Sequence, residues 1–232
     1  MNIKILGSSS SGNCYILYTS REVLLLECGV QYKKILAGLN YKLDNIVGCL
    51  VSHEHKDHSK SIKEIMKAGI DVYTSAGTFQ ATKASGHRAH VIKSLEQIEI
   101  GGFTILPFQT QHDAAEPLGF LIYHEEIGKV LFATDTYYIQ YRFPGLNYIM
   151  VECNFSNDIL QKNLDAGVLN KALKNRLLKS HFSLENVKKF LQANDLSKVE
   201  YIFLMHLSSG NSDSELFKTE IQKLTGIPVH IC

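Results

Sequence analysis

Short apolar runs rich in β-branched residues recur along this chain, each closed by Gly, Ser or Asn, and helical periodicity appears only between groups of them. The strand-type runs occupy 3–6, 14–18, 23–27, 46–51, 72–74, 97–100, 103–108, 119–123, 130–133, 148–152, 201–204 and 229–231. Apolar spacing of three and four predicts helices over 60–68, 76–84, 184–193 and 214–224, and the polar stretch 157–180 reads as peripheral helix. Hairpin-forming strands that cluster, with helices between the clusters, favour two sheets packed face to face over one doubly wound parallel sheet. The expected fold is therefore α/β, a four-layer αββα sandwich.

No composition shift, repeat or low-complexity linker marks a boundary, so 1–232 is expected to form one domain, a size that a single α/β domain commonly reaches. Cys14, Cys28, Cys49, Cys153 and Cys232 are scattered and odd in number, which points to buried thiols rather than a disulfide framework or a thiolate zinc site. No apolar run approaches the roughly 20 residues that span a bilayer, and Met1-Asn2-Ile3-Lys4 lacks signal-peptide architecture. A cytoplasmic protein without membrane association is expected. A net charge of +1 excludes the strongly basic field of a protein that holds long nucleic acid by charge alone, so any phosphate affinity must be local.

The chemistry is concentrated in Val51-Ser52-His53-Glu54-His55-Lys56-Asp57-His58-Ser59, which follows a strand-type run and precedes a helical one. Four ligand-type side chains thus share one loop at a strand's C-terminal end. Imidazole with carboxylate is the usual donor set for zinc and also accepts manganese or iron. An isolated H-x-H is normal on a polar surface loop, but four such residues in six positions are a specific signal. His53 and His55, two apart on extended chain, can turn toward one ion while Asp57 and His58 turn toward a second.

This H-x-H-x-D-H segment resembles the signature of the metallo-β-lactamase superfamily. The resemblance continues in order through His112 in Thr110-Gln111-His112-Asp113, Asp135 in Ala133-Thr134-Asp135-Thr136, and His206 at the end of Tyr201-Ile202-Phe203-Leu204-Met205. Within the superfamily the chain is most similar to the YycJ/WalJ-like phosphodiesterase and exonuclease branch. That likeness rests on Leu6-Gly7-Ser8-Ser9-Ser10-Ser11-Gly12-Asn13-Cys14, on 112–120, and on His206-Leu207-Ser208 with Asn211. It implies the metallo-β-lactamase four-layer sandwich and two divalent ions, Zn²⁺ first and Mn²⁺ second. His53, His55 and His112 would hold one ion, Asp57, His58 and His206 the other, and Asp135 would bridge. Glu27 stands where the family has an aspartate that orients ligands from behind, and it is one methylene longer.

His181 introduces a helix in Ser180-His181-Phe182-Ser183, with Ser183 as the expected N-cap. A helix-start histidine with a structural hydrogen bond is one reading. The other comes from resemblance to the late histidine segment of RNase Z-like phosphodiesterases, and gives His181 a phosphate-contacting or proton-donating role, partnered by Glu152 and Asn154. Asp57 and His181 are thus the expected catalytic residues. His87, His90, His124 and His230 are expected to be ordinary, and Lys171, Lys174, Arg176 and Lys179 to form a solvated helix face rather than a nucleic-acid guide.

The implied activity is metal-dependent phosphodiester hydrolysis, in which two ions activate water and stabilise developing charge. The expected substrate is DNA or RNA; the alternative is a small cyclic nucleotide or other signalling phosphodiester. Thioester or lactam hydrolysis and a non-catalytic metal protein rank lower. His55 also argues against the diiron oxidoreductases that this signature resembles, since they carry a carboxylate there.

Overall fold

The computed structural model describes residues 2–232, which fall into two compact units. The first runs to Gln109 and resumes over Ala114–Ile127; the second comprises Thr110–Asp113 and Gly128–Cys232.

In the first unit, β1 (Asn2–Gly7), β2 (Cys14–Tyr18) and β3 (Val23–Leu26) form an antiparallel meander. Helix α1 (Tyr32–Gly38) then leads to β4 (Ile46–Leu50), which pairs in parallel with β3. Helices α2 (Lys56–Ser59) and α3 (Ile62–Lys67) lead on to β5 (Val72–Thr74), and α4 (Ala76–Thr82) to β6 (Ala89–Val91), completing a sheet ordered β1 to β6. Strands β2 and β3 are apolar without alternation because both faces are covered: Tyr15, Ile16, Leu17, Leu24, Leu25 and Leu26 are all 0% exposed. Ile16 lies opposite Leu25, and with Val51 and Ile65 both belong to one buried cluster. A second antiparallel set follows in this unit, β7 (Ile98–Ile100), β8 (Phe103–Gln109) and β9 (Leu118–His124).

The second unit is built on β10 (Gly128–Ala133), β11 (Tyr148–Glu152), β12 (Tyr201–Met205) and β13 (Val229–Ile231), all parallel, with Val130 opposite Tyr148 and Tyr148 opposite Tyr201. Parallel strands need long crossovers. Helices α5 (Asn157–Asp165), α6 (Lys171–Ser180) and α7 (Leu184–Gln192) connect β11 to β12, and α8 (Ser214–Thr225) connects β12 to β13. Each of these helices starts on a short polar side chain that accepts from a backbone N–H three residues on: Ser156, Asn170, Ser183 and Asp213. Ser183 is therefore the N-cap that the sequence predicts.

The strand-type runs match β1–β5 and β7–β13 to within one or two residues, and the polar stretch 157–180 resolves into α5 and α6. Helices α1 and α2 and strand β6 were not expected. Among the described residues no helix is long and apolar enough to cross a membrane.

Candidate metal centre

In the first unit the H-x-H-x-D-H segment leaves the end of β4 and turns into α2. His53 is buried, with its Nδ1 2.9 Å from Ser52 Oγ and its Nε2 3.1 Å from His55 Nδ1. Its ring centroid lies 4.2 Å from that of the buried His58, whose Nε2 is 3.4 Å from Asp57 Oδ2. The turn is held from behind by two other segments. The backbone N–H of Asn13 donates to the Asp57 carbonyl at 2.7 Å, and Cys28 N–H donates to the His58 carbonyl at 2.9 Å. Gly29 must be glycine, because a Cβ there would come within 1.7 Å of the Asp57 carbonyl oxygen. The Gly/Ser-rich opening of the chain and the Glu27-Cys28-Gly29 turn thus serve to clamp the ligand loop.

Two buried side chains, Asn13 and Glu27, flank the His58 ring. Asn13 Nδ2 lies 3.1 Å from His58 Nε2 and also 3.1 Å from the Ser9 and Asp57 carbonyl oxygens, so its two N–H groups are shared among three neighbours. His58 Nδ1 faces Glu27 Oε2 at 3.3 Å, an acceptor that favours the proton on Nδ1, while Glu27 Oε1 accepts from Ser52 N–H at 3.0 Å. The longer side chain of Glu27 therefore reaches both groups. Burial raises the Glu27 pKa, with His58 and Ser52 pulling in the opposite direction.

In the second unit the parallel strands bring their C-terminal ends to one edge, and the candidate side chains lie there. Asp135 follows β10, Glu152 ends β11 and His206 follows β12. Asp135 and His206 have positive φ, 39° and 53°, and Glu27 in the first unit has 65°, a region that non-glycine residues seldom enter and that recurs at functional sites. His206 Nδ1 lies 3.2 Å from Asp135 Oδ1, which also accepts from Thr134 Oγ1 at 2.8 Å. His112 Nε2 lies 3.6 Å from Asp135 Oδ2. On its other side, His112 Nδ1 donates to the Ser180 carbonyl at 2.7 Å, which in the neutral ring puts the lone pair on Nε2. Burial lowers the His112 pKa despite the nearby Asp135.

Glu152 organises this cluster. Its Oε1 lies 2.5 Å from His181 Nδ1 and 3.1 Å from His206 Nδ1, and its Oε2 accepts from Thr136 N–H and Phe182 N–H, each at 3.0 Å. Burial raises the Glu152 pKa, but His181 and the hydrogen bonds outweigh it and the carboxyl stays below its ordinary value. Burial likewise opposes the charged form of His181, and the Glu152 charge outweighs it, so the His181 pKa is raised. Of the two partners expected for His181, Glu152 is in place. Asn154, two residues past the end of β11, instead donates from Nδ2 to the His206 carbonyl at 2.8 Å.

Both half-sets suit a metal ion. Bonds of about 2.0–2.2 Å in a tetrahedral array place neighbouring donor atoms about 3.3–3.6 Å apart. The pairs His53–His55, Asp57–His58, Asp135–His206 and His112–Asp135 are spaced 3.1, 3.4, 3.2 and 3.6 Å. Asp135, Glu152, His181 and His206 each offer a donor atom, all within 4.8 Å of one another, so Glu152 and His181 are potential ligands beyond the expected set. Among the remaining histidines, His90 stacks on Tyr73 and pairs with Asp71, and His124 accepts from Glu126 N–H. In the basic run, Arg176 pairs with Asp113 and Lys174 with Gln161.

Residues 25–207 match the model of the beta-lactamase superfamily domain, and the chain belongs to that family. It is a metal-dependent hydrolase. Its sequence is 31% identical over 229 residues to exodeoxyribonuclease WalJ of Streptococcus pneumoniae, covering 91% of this chain and 83% of that protein. It is 25% identical to exodeoxyribonuclease YycJ of Bacillus anthracis over 97% and 89% of the two chains. Among solved structures, the metallo-β-lactamase fold protein YhfI from Bacillus subtilis superposes with a TM-score of 0.73 at 16% identity, over 99% of this chain and 95% of that one.

Proposed function

We propose that this protein is a nuclease that hydrolyses phosphodiester bonds of DNA with two divalent ions, Zn²⁺ first and Mn²⁺ second. What carries the nucleic-acid substrate is the similarity to exodeoxyribonuclease WalJ over 91% of the chain. The proposed ligands follow the family pattern: His53, His55 and His112 for one ion, Asp57, His58 and His206 for the other, with Asp135 bridging. When bound, such ions activate water near neutral pH and stabilise charge on the phosphoryl oxygens.

The chain's own groups prepare the rest. The Glu27 carboxylate and the Ser180 carbonyl face Nδ1 of His58 and of His112 and favour the proton there, which leaves the lone pair of each ring on Nε2. Glu152 holds His181 through Nδ1, leaving Nε2 as the nitrogen that meets substrate. From there His181 stabilises a phosphoryl oxygen or protonates the leaving alkoxide.

The test offers labelled single- and double-stranded DNA, RNA, cyclic mononucleotides and bis-p-nitrophenyl phosphate to chelator-treated and reloaded protein. DNA cleavage only after reloading, at about two ions per chain, is the expected result. Turnover of cyclic mononucleotides with DNA untouched would overturn the proposed substrate. His181→Ala should lower the rate on DNA about 10²–10⁴-fold with metal content unchanged, and lower it less on bis-p-nitrophenyl phosphate, whose nitrophenolate departs without a proton.

A further inference from the structure

Beside His181 in the second unit lies a pocket of about 420 Å³ that the chemistry above leaves unused. Its floor is apolar: Phe182 and Phe190 are 1% and 7% exposed, with ring centroids 6.2 Å apart. Its rim carries Tyr138, which is 56% exposed, together with the exposed Arg142 and Lys189. No aspartate or glutamate lines it, and neither Arg142 nor Lys189 has a carboxylate partner among the described residues. Two cations, an exposed aromatic ring and an apolar floor in a cavity of ligand size form a built recess rather than a solvated surface.

The rim loop is held in place before anything binds. Thr136 Oγ1 donates to the Tyr138 carbonyl at 2.8 Å, and Asn186 Nδ2 from α7 donates to the Tyr137 carbonyl at 3.3 Å. At the other end, Asn194 accepts from Phe143 N–H at 2.9 Å and donates to the Phe190 carbonyl at 2.8 Å. A fixed loop loses little freedom on binding. The pocket also starts close to the reacting groups. Phe182 follows His181 directly, and Tyr138 lies three positions after Asp135, at most about 11 Å of chain.

We infer that this pocket is a nucleotide subsite. It receives the base next to the bond being cut, stacked on Tyr138 over the Phe182 and Phe190 floor, with that nucleotide's phosphate on Arg142 and Lys189. The assignment rests on the nuclease function proposed above and adds to it that the bound strand is single at this point, because a base within a duplex has both faces covered by its stacked neighbours. Stacking on an aromatic ring tolerates any base, so the subsite sets strand form rather than sequence.

The experiment measures binding of a fluorescein-labelled, phosphorothioate-linked oligothymidylate, which resists cleavage, to the metal-loaded protein across a salt series. Tyr138→Ala should weaken binding about 5- to 150-fold, while Tyr138→Phe, which keeps the ring, stays near wild type. An abasic oligomer should bind equally to wild type and Tyr138→Ala. The double substitution Arg142→Gln, Lys189→Gln should flatten the slope of log K against log salt by about 0.7, the value for one lost phosphate contact on a single strand. Thermal midpoints identify a variant that fails to fold, in which case Tyr138→Phe with the cation pair, and the abasic oligomer with wild type, still decide. Wild-type affinity in Tyr138→Ala, an unchanged slope in the double variant, or no oligomer binding by wild type would each overturn the subsite. If the oligomer binds as expected yet no DNA is cut, the nuclease assignment falls and the subsite stands.

Discussion

Glu27 shows how much of a metal site's behaviour can reside in a residue that touches no metal. Its carboxylate is completely buried, accepts from Ser52 N–H and faces His58 Nδ1. A glutamine would keep the acceptor for Ser52 but turn an N–H toward His58, forcing the proton onto Nε2, where a ligand lone pair is needed. Glu27→Gln is therefore expected to weaken metal binding about 10–100-fold in a chelator competition. Metal affinity equal to wild type would mean that Glu27 has no influence on the ligand set. The sequence made Glu27 visible as a departure from the aspartate of the family, but not that its extra methylene spans the distance to both partners. The proposed ligands could be singled out in the sequence because histidine and aspartate at strand ends have few other uses in such density. Glu152 was legible only as a neighbour of His181, since one carboxylate closing an apolar strand gives no sign that four groups converge on it. Asn13, hidden in a serine-rich turn, gave no signal beyond its place in the motif.

The strands were legible at the level of elements because two-sided burial demands unbroken apolar runs, as in Cys14–Tyr18 and Val23–Leu26. Strand β6 was missed because Ala89, His90 and Val91 are only partly buried or exposed and pair along one edge. Helix α1 spans seven residues with only Ile35 and Gly38 buried, too few to set a period, and α2 is a single turn inside the ligand loop. Where β11 begins, Tyr148 donates its hydroxyl to Glu200 Oε2 at 2.5 Å. Burial and then Glu200 push the Tyr148 pKa up to about 12, above the unfolded value of about 10. A raised pKa means the fold favours the protonated phenol, so this stabilisation is complete below about pH 10 and is lost as pH climbs toward about 12. Urea denaturation of wild type and Tyr148→Phe should show the wild type losing more stability than the variant across that window. Parallel curves would rule out a contribution from the Tyr148–Glu200 bond.

At the scale of the whole molecule, stability and metal loading should be linked, because an ion that binds the folded ligands and not the unfolded chain stabilises the fold. At a free concentration a hundredfold above its dissociation constant, one ion adds about 2.7 kcal/mol, a rise in thermal midpoint of roughly 5–10 °C for a chain of this size. Scanning calorimetry with chelator and with Zn²⁺ measures it directly, and coincident midpoints would count against the proposed ligands. The four-residue excursion Thr110–Asp113, which carries His112, belongs with the second unit although the chain on either side belongs to the first. A ribosome delivers residues strictly in order, so His112 emerges before β10, β11 and α6, the elements that will hold it, have been made. The proposed set closes only with His206, when most of the 232 residues have been synthesised. Capture of metal by the proposed ligands is then a late event in the life of the nascent chain, and a ribosome stalled short of β12 carries a protein with most of its strands and no complete ligand set.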